Sequence, residues 1–164
     1  MEQKIQVNSF YRIGIVVQSV AKKLQTFQKY FQIDPESILL LDPDDPNLSP
    51  RNTETTYEGQ ALDFQTRVCI FPLGNIEIEL LEPIEPRGPY YDFLMENGEG
   101  LHHFNIDVND VLHFTAIMEL FGAPQLTSGR WDTLYYEYYD ARSSLGMILE
   151  TCVDDSDKSA SVPS

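Results

Sequence analysis

Residues 12–20 read RIGIVVQSV and residues 103–111 read HFNIDVNDV. Laid over each other, Ile13, Ile15 and Val17 fall on Phe104, Ile106 and Val108, Ser19 falls on Asp110, and Arg12 falls on His103. Each stretch alternates with period two, the signature of a strand with one buried face. Each ends in a Ser or Asp placed to cap a helix. After Ser19, Val20, Leu24, Phe27 and Phe31 recur at helical spacing, with Lys22, Lys23, Gln25, Gln28 and Lys29 between them, so an amphipathic helix follows. After Asp110, Val111, Phe114, Met118 and Phe121 form the matching stripe, stopped by Gly122 and Pro124.

Working outward, the copies continue in parallel. A short strand near Ile38–Leu41 precedes the Pro- and acid-punctuated loop DPDDPNLSPRNTET. The strands TRVCIFPL and NIEIELLEP follow, joined by a hairpin turn at LGN. In the second copy a strand near Gln125–Ser128 leads to LYYEYYD, the turn ARSSLG and the strand GMILETC. Each half ends in a Gly-initiated strand finishing on glutamate, GNIEIE and GMILE. The chain therefore reads as two βαβββ modules, at 1–84 and 99–153. Residues 85–98 are a linker with a helical turn in PYYDFLMEN, and 154–164 are an acidic, disordered tail. The expected fold is α+β: a cupped, roughly eight-stranded mixed sheet around a central cavity, helices outside.

Bulk properties bound the function. Of 164 residues, 42% are hydrophobic and 12% aromatic, enough for a core. The net charge of -15 argues against nucleic acid and anionic membrane surfaces as partners, while a local arginine could still hold an anionic small molecule. MEQKIQVNSF lacks the apolar run of a signal peptide, and no stretch approaches the ~20 apolar residues of a membrane span, so a cytoplasmic location is expected. Cys69 and Cys152 lack metal-type spacing, and a single disulfide between them stays open.

The repeat also organises the polar residues. Arg12 and His103 begin the two first strands, and Glu79 and Glu150 close the two last ones. Packing of the halves about a pseudo-twofold would bring these four side chains to one cavity, with His102 on the opposite face as a structural histidine. In WDTLYYEYYD, either Tyr136 and Tyr138 or Tyr135 and Tyr139 would line that cavity; parity does not choose. Arg142 lies on an exposed turn.

RIGIVVQSVAKKLQTFQKYF, LGNIEIELLEPIEP, GEGLHHFNIDVNDV and DARSSLGMILE together resemble the vicinal oxygen chelate superfamily. Glyoxalase I, methylmalonyl-CoA epimerase, bleomycin-resistance proteins and extradiol dioxygenases belong to it. ELLEP, GLHH and the closing GxxLE point to the glyoxalase and epimerase branch. The resemblance implies a metal held by Glu79, His103 and Glu150, with Co, Mn, Ni, Fe or Zn as candidates. Arg12 stands where that branch usually carries a fourth ligand, histidine. Arginine does not ligate, so the alternative is a metal-free site in which Arg12 neutralises both glutamates. The implied activity is that of an isomerase, epimerase or lyase moving a proton alpha to a carbonyl, with a metal-stabilised enediolate. Glu79 or Glu150 would be the base, and Arg12, Tyr136 and Tyr138 would bind the substrate. The substrate is expected to be a small molecule, anionic or an acyl-CoA, and the protein a homodimer. The alternative function is a metal-free member of the superfamily that binds or shapes a hydrophobic or aromatic compound.

Overall fold

The alternation at 12–17 and 103–108 produces two adjacent inner strands of one ten-stranded sheet. The computed structural model describes residues 4–45, 47 and 51–155. In chain order the elements are β1 (Val7–Val16), α1 (Val20–Tyr30), β2 (Leu39–Leu41), β3 (Thr53–Tyr57), β4 (Gln60–Ala61), β5 (Thr66–Leu73) and β6 (Ile76–Pro83). Then come α2 (Pro89–Asn97), β7 (Gly100–Val108), α3 (Val111–Leu120), β8 (Gln125–Trp131), β9 (Leu134–Ala141), α4 (Arg142–Leu145) and β10 (Met147–Asp154). The strand order is β2-β5-β6-β1-β7-β10-β9-β8-β3-β4. The result is a curled mixed sheet with four helices, an α+β fold of the expected kind.

The ladder register carries the duplication. β1 and β7 run antiparallel, with Arg12 opposite Asn105, Ile13 opposite Phe104 and Gly14 opposite His103. Exchanging each residue for its partner in the overlay of 12–20 on 103–111 turns the first of these pairs into the third and leaves the second unchanged. β6 lies parallel to β1 with Glu79 opposite Gly14, and β10 lies parallel to β7 with Glu150 opposite Asn105. The two glutamates thus hold equivalent places. Two of the three β1–β7 register shifts repeat as well: Tyr11 and His102, equivalent in the overlay, are the extra residues there, and the third falls between Val7 and Ser9.

Three apolar clusters hold the sheet. Val17, Val20, Cys69, Phe71, Ile78 and Leu80 pack under α1, joined by Ile13, Ile15, Leu24 and Phe27. Ile106, Val108, Phe114, Met118, Tyr139 and Leu149 pack under α3. The third cluster lines the inner face, with Val16, Phe64, Val68, Leu81, Tyr90, Tyr136 and Tyr138. Caps stand where expected: Ser19 Oγ accepts from Lys22 N at 3.3 Å and Asp110 Oδ1 from His113 N at 2.9 Å.

Four segments differ from expectation. The loop at 42–55 ends in strand, because Thr53–Tyr57 and Gln60–Ala61 form a hairpin that extends the sheet beyond β8, the edge strand of the other half. Eight strands thereby become ten. PYYDFLMEN is a full helix, α2, which buries Pro89 and Tyr90. ARSSLG contains one helical turn, closed by Gly146 at φ 76. Of the expected tail, Asp154 belongs to β10 and Asp155 to a turn, while 156–164 lie outside the described residues. Cys69 and Cys152 are free thiols. No helix among the described residues is long and apolar enough to cross a membrane.

Candidate metal centre and pocket

Glu79, His103 and Glu150 meet although they stand on three strands, and a glycine makes this possible. Gly14 lies on β1 between Glu79 on β6 and His103 on β7. A Cβ at Gly14 would overlap the His103 imidazole. With that space open, the ring lies across β1 and its Nε2 reaches Glu79 Oε2 at 3.2 Å and Glu150 Oε2 at 3.0 Å. All three residues are buried, His103 completely. One donor atom from each lies within 4.8 Å of the others, so the group could hold a metal ion.

Burial disfavours charge on His103, yet its contacts with Glu150 and Glu79 outweigh this and push its pKa up to about 9. Burial likewise opposes charge on Glu79, but the hydrogen bond from His103 and the nearby Arg12 hold its carboxyl below the usual range. Arg12 does not bridge the two glutamates. Its Nε and Nη2 lie 2.9 and 2.8 Å from Glu77 Oε2, whereas Nη1 is 3.8 Å from Glu79 Oε1. Glu77 was not foreseen. Its signal was present, because it shares the period-two face of Glu79 and falls opposite Arg12 once β6 is set parallel to β1.

His102 departs from the expected opposite face. As the extra residue of the β7 bulge it points to the same side as His103, with their Nδ1 atoms 3.0 Å apart. Its ring packs against Tyr90, Phe93 and Tyr138. Simple alternation fails here because a bulge adds one residue to one strand only.

The two glutamates border a pocket enclosing about 490 Å³ of space, part of it open to solvent. Leu41, Val68, Ile70, Leu81, Trp131 and Leu134 supply apolar walls, and Arg12, Asn52 and Thr66 polar points. Of the two tyrosine pairs, Tyr136 and Tyr138 line the pocket. Tyr139 faces away, under α3 with Phe114, and Tyr135 lies beneath the guanidinium of Arg130. Asn52 Nδ2 donates to Tyr136 Oη at 2.6 Å, and Tyr90 Oη to Tyr138 Oη at 2.8 Å. Asn52 and Tyr90 were not foreseen, since they come from the loop before β3 and from the linker helix. Arg142 is tied to Asp140 through Nε at 2.8 Å and Nη2 at 2.6 Å, outside this pocket.

A duplicated βαβββ sheet curled around a buried carboxylate–imidazole–carboxylate group defines the class. The model of the glyoxalase/bleomycin resistance protein/dioxygenase superfamily matches residues 11–133, and the chain belongs to that family. No curated protein matches the chain. Among solved structures, a hypothetical protein of Bacillus halodurans aligns with TM-score 0.62 and 20% identity, over 92% of this chain and 94% of that one. Methylmalonyl-CoA epimerase of Streptomyces coelicolor, in complex with 2-nitronate-propionyl-CoA, aligns with TM-score 0.61 and 17% identity, over 90% and 97%. The epimerase of Mycobacterium tuberculosis aligns with TM-score 0.59 and 12% identity, over 98% and 97%. At these identities the likeness is one of fold.

Proposed function

We propose that the protein is a small-molecule isomerase or lyase of the epimerase and glyoxalase type, moving a proton alpha to a carbonyl at a divalent metal held by Glu79, His103 and Glu150. One observation carries this reading: three buried donors converge beside an apolar pocket while Arg12 is drawn aside by Glu77. His103 Nε2 lies 3.2 Å from Glu79 and 3.0 Å from Glu150, so these three side chains would hold the cation. When bound, a divalent cation supplies a Lewis acid for a carbonyl oxygen. The chain's own groups do the rest. His103 contacts both glutamates, but Glu79 also faces the Arg12 guanidinium at 3.8 Å whereas Glu150 faces the Cys152 thiol, so Glu150 is the freer carboxylate to take the proton. Arg12, half-buried at the pocket wall, orients an anionic group, and Tyr136 and Tyr138 flank the substrate.

The epimerase neighbours with bound ligands carry acyl-CoA compounds, which supports an enolisable acyl compound as the substrate class. The same reading takes 1–84 and 99–153 as the two copies of one module, and the protein as a cytoplasmic homodimer without nucleic-acid partners, in keeping with its charge of -15. The test is elemental analysis after metal-free purification and after incubation with Co, Mn, Ni and Zn. Stoichiometric uptake that His103→Ala abolishes, with solvent deuterium entering an acyl substrate such as methylmalonyl-CoA, is the expected result. Failure to take up any of the four metals would overturn the metal reading.

A second reading has its own observation. With His103 protonated, its charge and that of Arg12 offset two of the three carboxylates Glu77, Glu79 and Glu150, so the group is nearly satisfied without a metal. The protein would then bind or shape an apolar compound in the same pocket.

A further inference from the structure

We propose that His102 is a positioning residue for this site: its Nδ1 accepts a hydrogen bond from Nδ1–H of His103 and thereby fixes which nitrogen His103 presents to Glu79 and Glu150. The proposal deepens the metal reading and, in its second arm, also stands without it.

Three observations converge. The Nδ1 atoms of the two rings lie 3.0 Å apart, hydrogen-bond distance for two nitrogens of which one carries the proton. The bulge accounts for this contact. In an unbroken strand adjacent side chains point to opposite faces, and only the extra residue at position 102 turns both imidazoles to one side. The bulge also belongs to the duplicated plan, since Tyr11 occupies the equivalent place in the first half and holds its ring 5.5 Å from the Arg12 guanidinium. In both halves the bulge residue therefore touches the functional side chain that follows it.

The proton assignment follows from the surroundings. His103 Nε2 is committed to the two carboxylates, so Nδ1 alone remains to be oriented. His102 is 6% exposed, and it borders a second cavity lined by Asp92, Asn97, Asp140 and Arg142. That polar space suits a protonated Nε2 on His102, which leaves its Nδ1 as the acceptor. With Nδ1–H of His103 engaged in this way, its Nε2 is aimed where Glu79 and Glu150 converge, bearing a proton in the metal-free protein and a free lone pair once a metal displaces that proton. Outer hydrogen bonds of this kind fix the tautomer and ring orientation of a ligating histidine.

The test compares wild type, His102→Phe and His102→Asn. Phenylalanine keeps the ring volume without an acceptor, whereas an asparagine amide oxygen can stand near the place of Nδ1. Co(II) affinity is measured by titration, and the imidazole nitrogens are followed by ¹⁵N NMR in the metal-free protein. Co(II) affinity should fall by roughly 10–100-fold in His102→Phe and recover most of the loss in His102→Asn. The protected Nδ1–H resonance of His103 should be present in wild type and His102→Asn, and absent in His102→Phe. If wild type binds no Co(II), the metal reading fails alone, and the resonance still decides the role of His102. A His102→Phe protein that keeps the His103 Nδ1–H signal overturns the proposal, as does a folded His102→Asn protein that lacks it.

Discussion

Gly14 shows how much one side chain decides by being absent. The His103 imidazole occupies the volume a Cβ would fill, and through that gap a residue of β7 reaches a glutamate of β6. Gly14→Ala should cost about 1–3 kcal/mol in urea unfolding, as overpacking does, and should also displace His103. Unchanged stability would mean that the ring does not lie over β1. Arg12 and Glu77 form the second residue-scale device. Glu77→Gln should release Arg12 towards Glu79 and weaken Co(II) binding in titration calorimetry, because a guanidinium there opposes a dication. Arg12→His should do the reverse by adding a fourth donor, and unchanged affinity in both variants would remove Arg12 from the site. Arg12, Glu79, His103 and Glu150 were readable from the repeat alone. Glu77, Gly14 and Asn52 were not singled out, since their roles depend on which strands become neighbours.

At the scale of elements, periodicity found β1, β7 and the two amphipathic helices because each sets its apolar residues on one face, whereas β5 and β6 are buried on both faces and were legible from their hairpin turn. The caps follow the same local logic. Asp110→Ala should cost about 1 kcal/mol of stability, since the His113 N–H loses its side-chain acceptor at the start of α3. A loss of that size in thermal or urea unfolding, with metal affinity unchanged, would separate the cap from the site. Periodicity failed where an element depends on a distant partner. β3 and β4 are short, and β3 is held by pairing with β8, some seventy residues away in sequence. Gln65 joins this crossing to β5, accepting from Asn52 N and donating to Asn52 O, both at 3.0 Å. The bulges at Tyr11 and His102 escaped for a related reason: a strand read alone does not show that its partner lacks one residue.

For the whole molecule, acidity is balanced locally. Arg67 binds Asp42 at 2.8 Å, Glu82 at 2.6 Å and Asp44 at 3.3 Å, tying the start of the crossing segment to β5 and β6. Its hydrogen bond holds the Asp42 carboxyl below the ordinary value of 3.8, and Arg142 does the same for Asp140. A depressed folded-state value contributes stability above the unfolded value, and that contribution is lost as pH falls through the folded one. Arg67→Gln should therefore be less stable than wild type at pH 7, and the gap should close as urea midpoints are taken below about pH 4. A gap independent of pH would assign the loss to packing instead.

The sequence by itself determined the duplicated architecture and the equivalence of positions 12 with 103 and 79 with 150. Side-chain period and chain-order symmetry are local, repeated properties that survive in a linear string. Tertiary structure alone decided that Arg12 turns to Glu77, that His102 sides with His103, and that a hairpin from the first half extends the edge of the second. Each of those outcomes is a competition among partners brought close only when the strands pair, and a linear sequence does not record the distances that settle it.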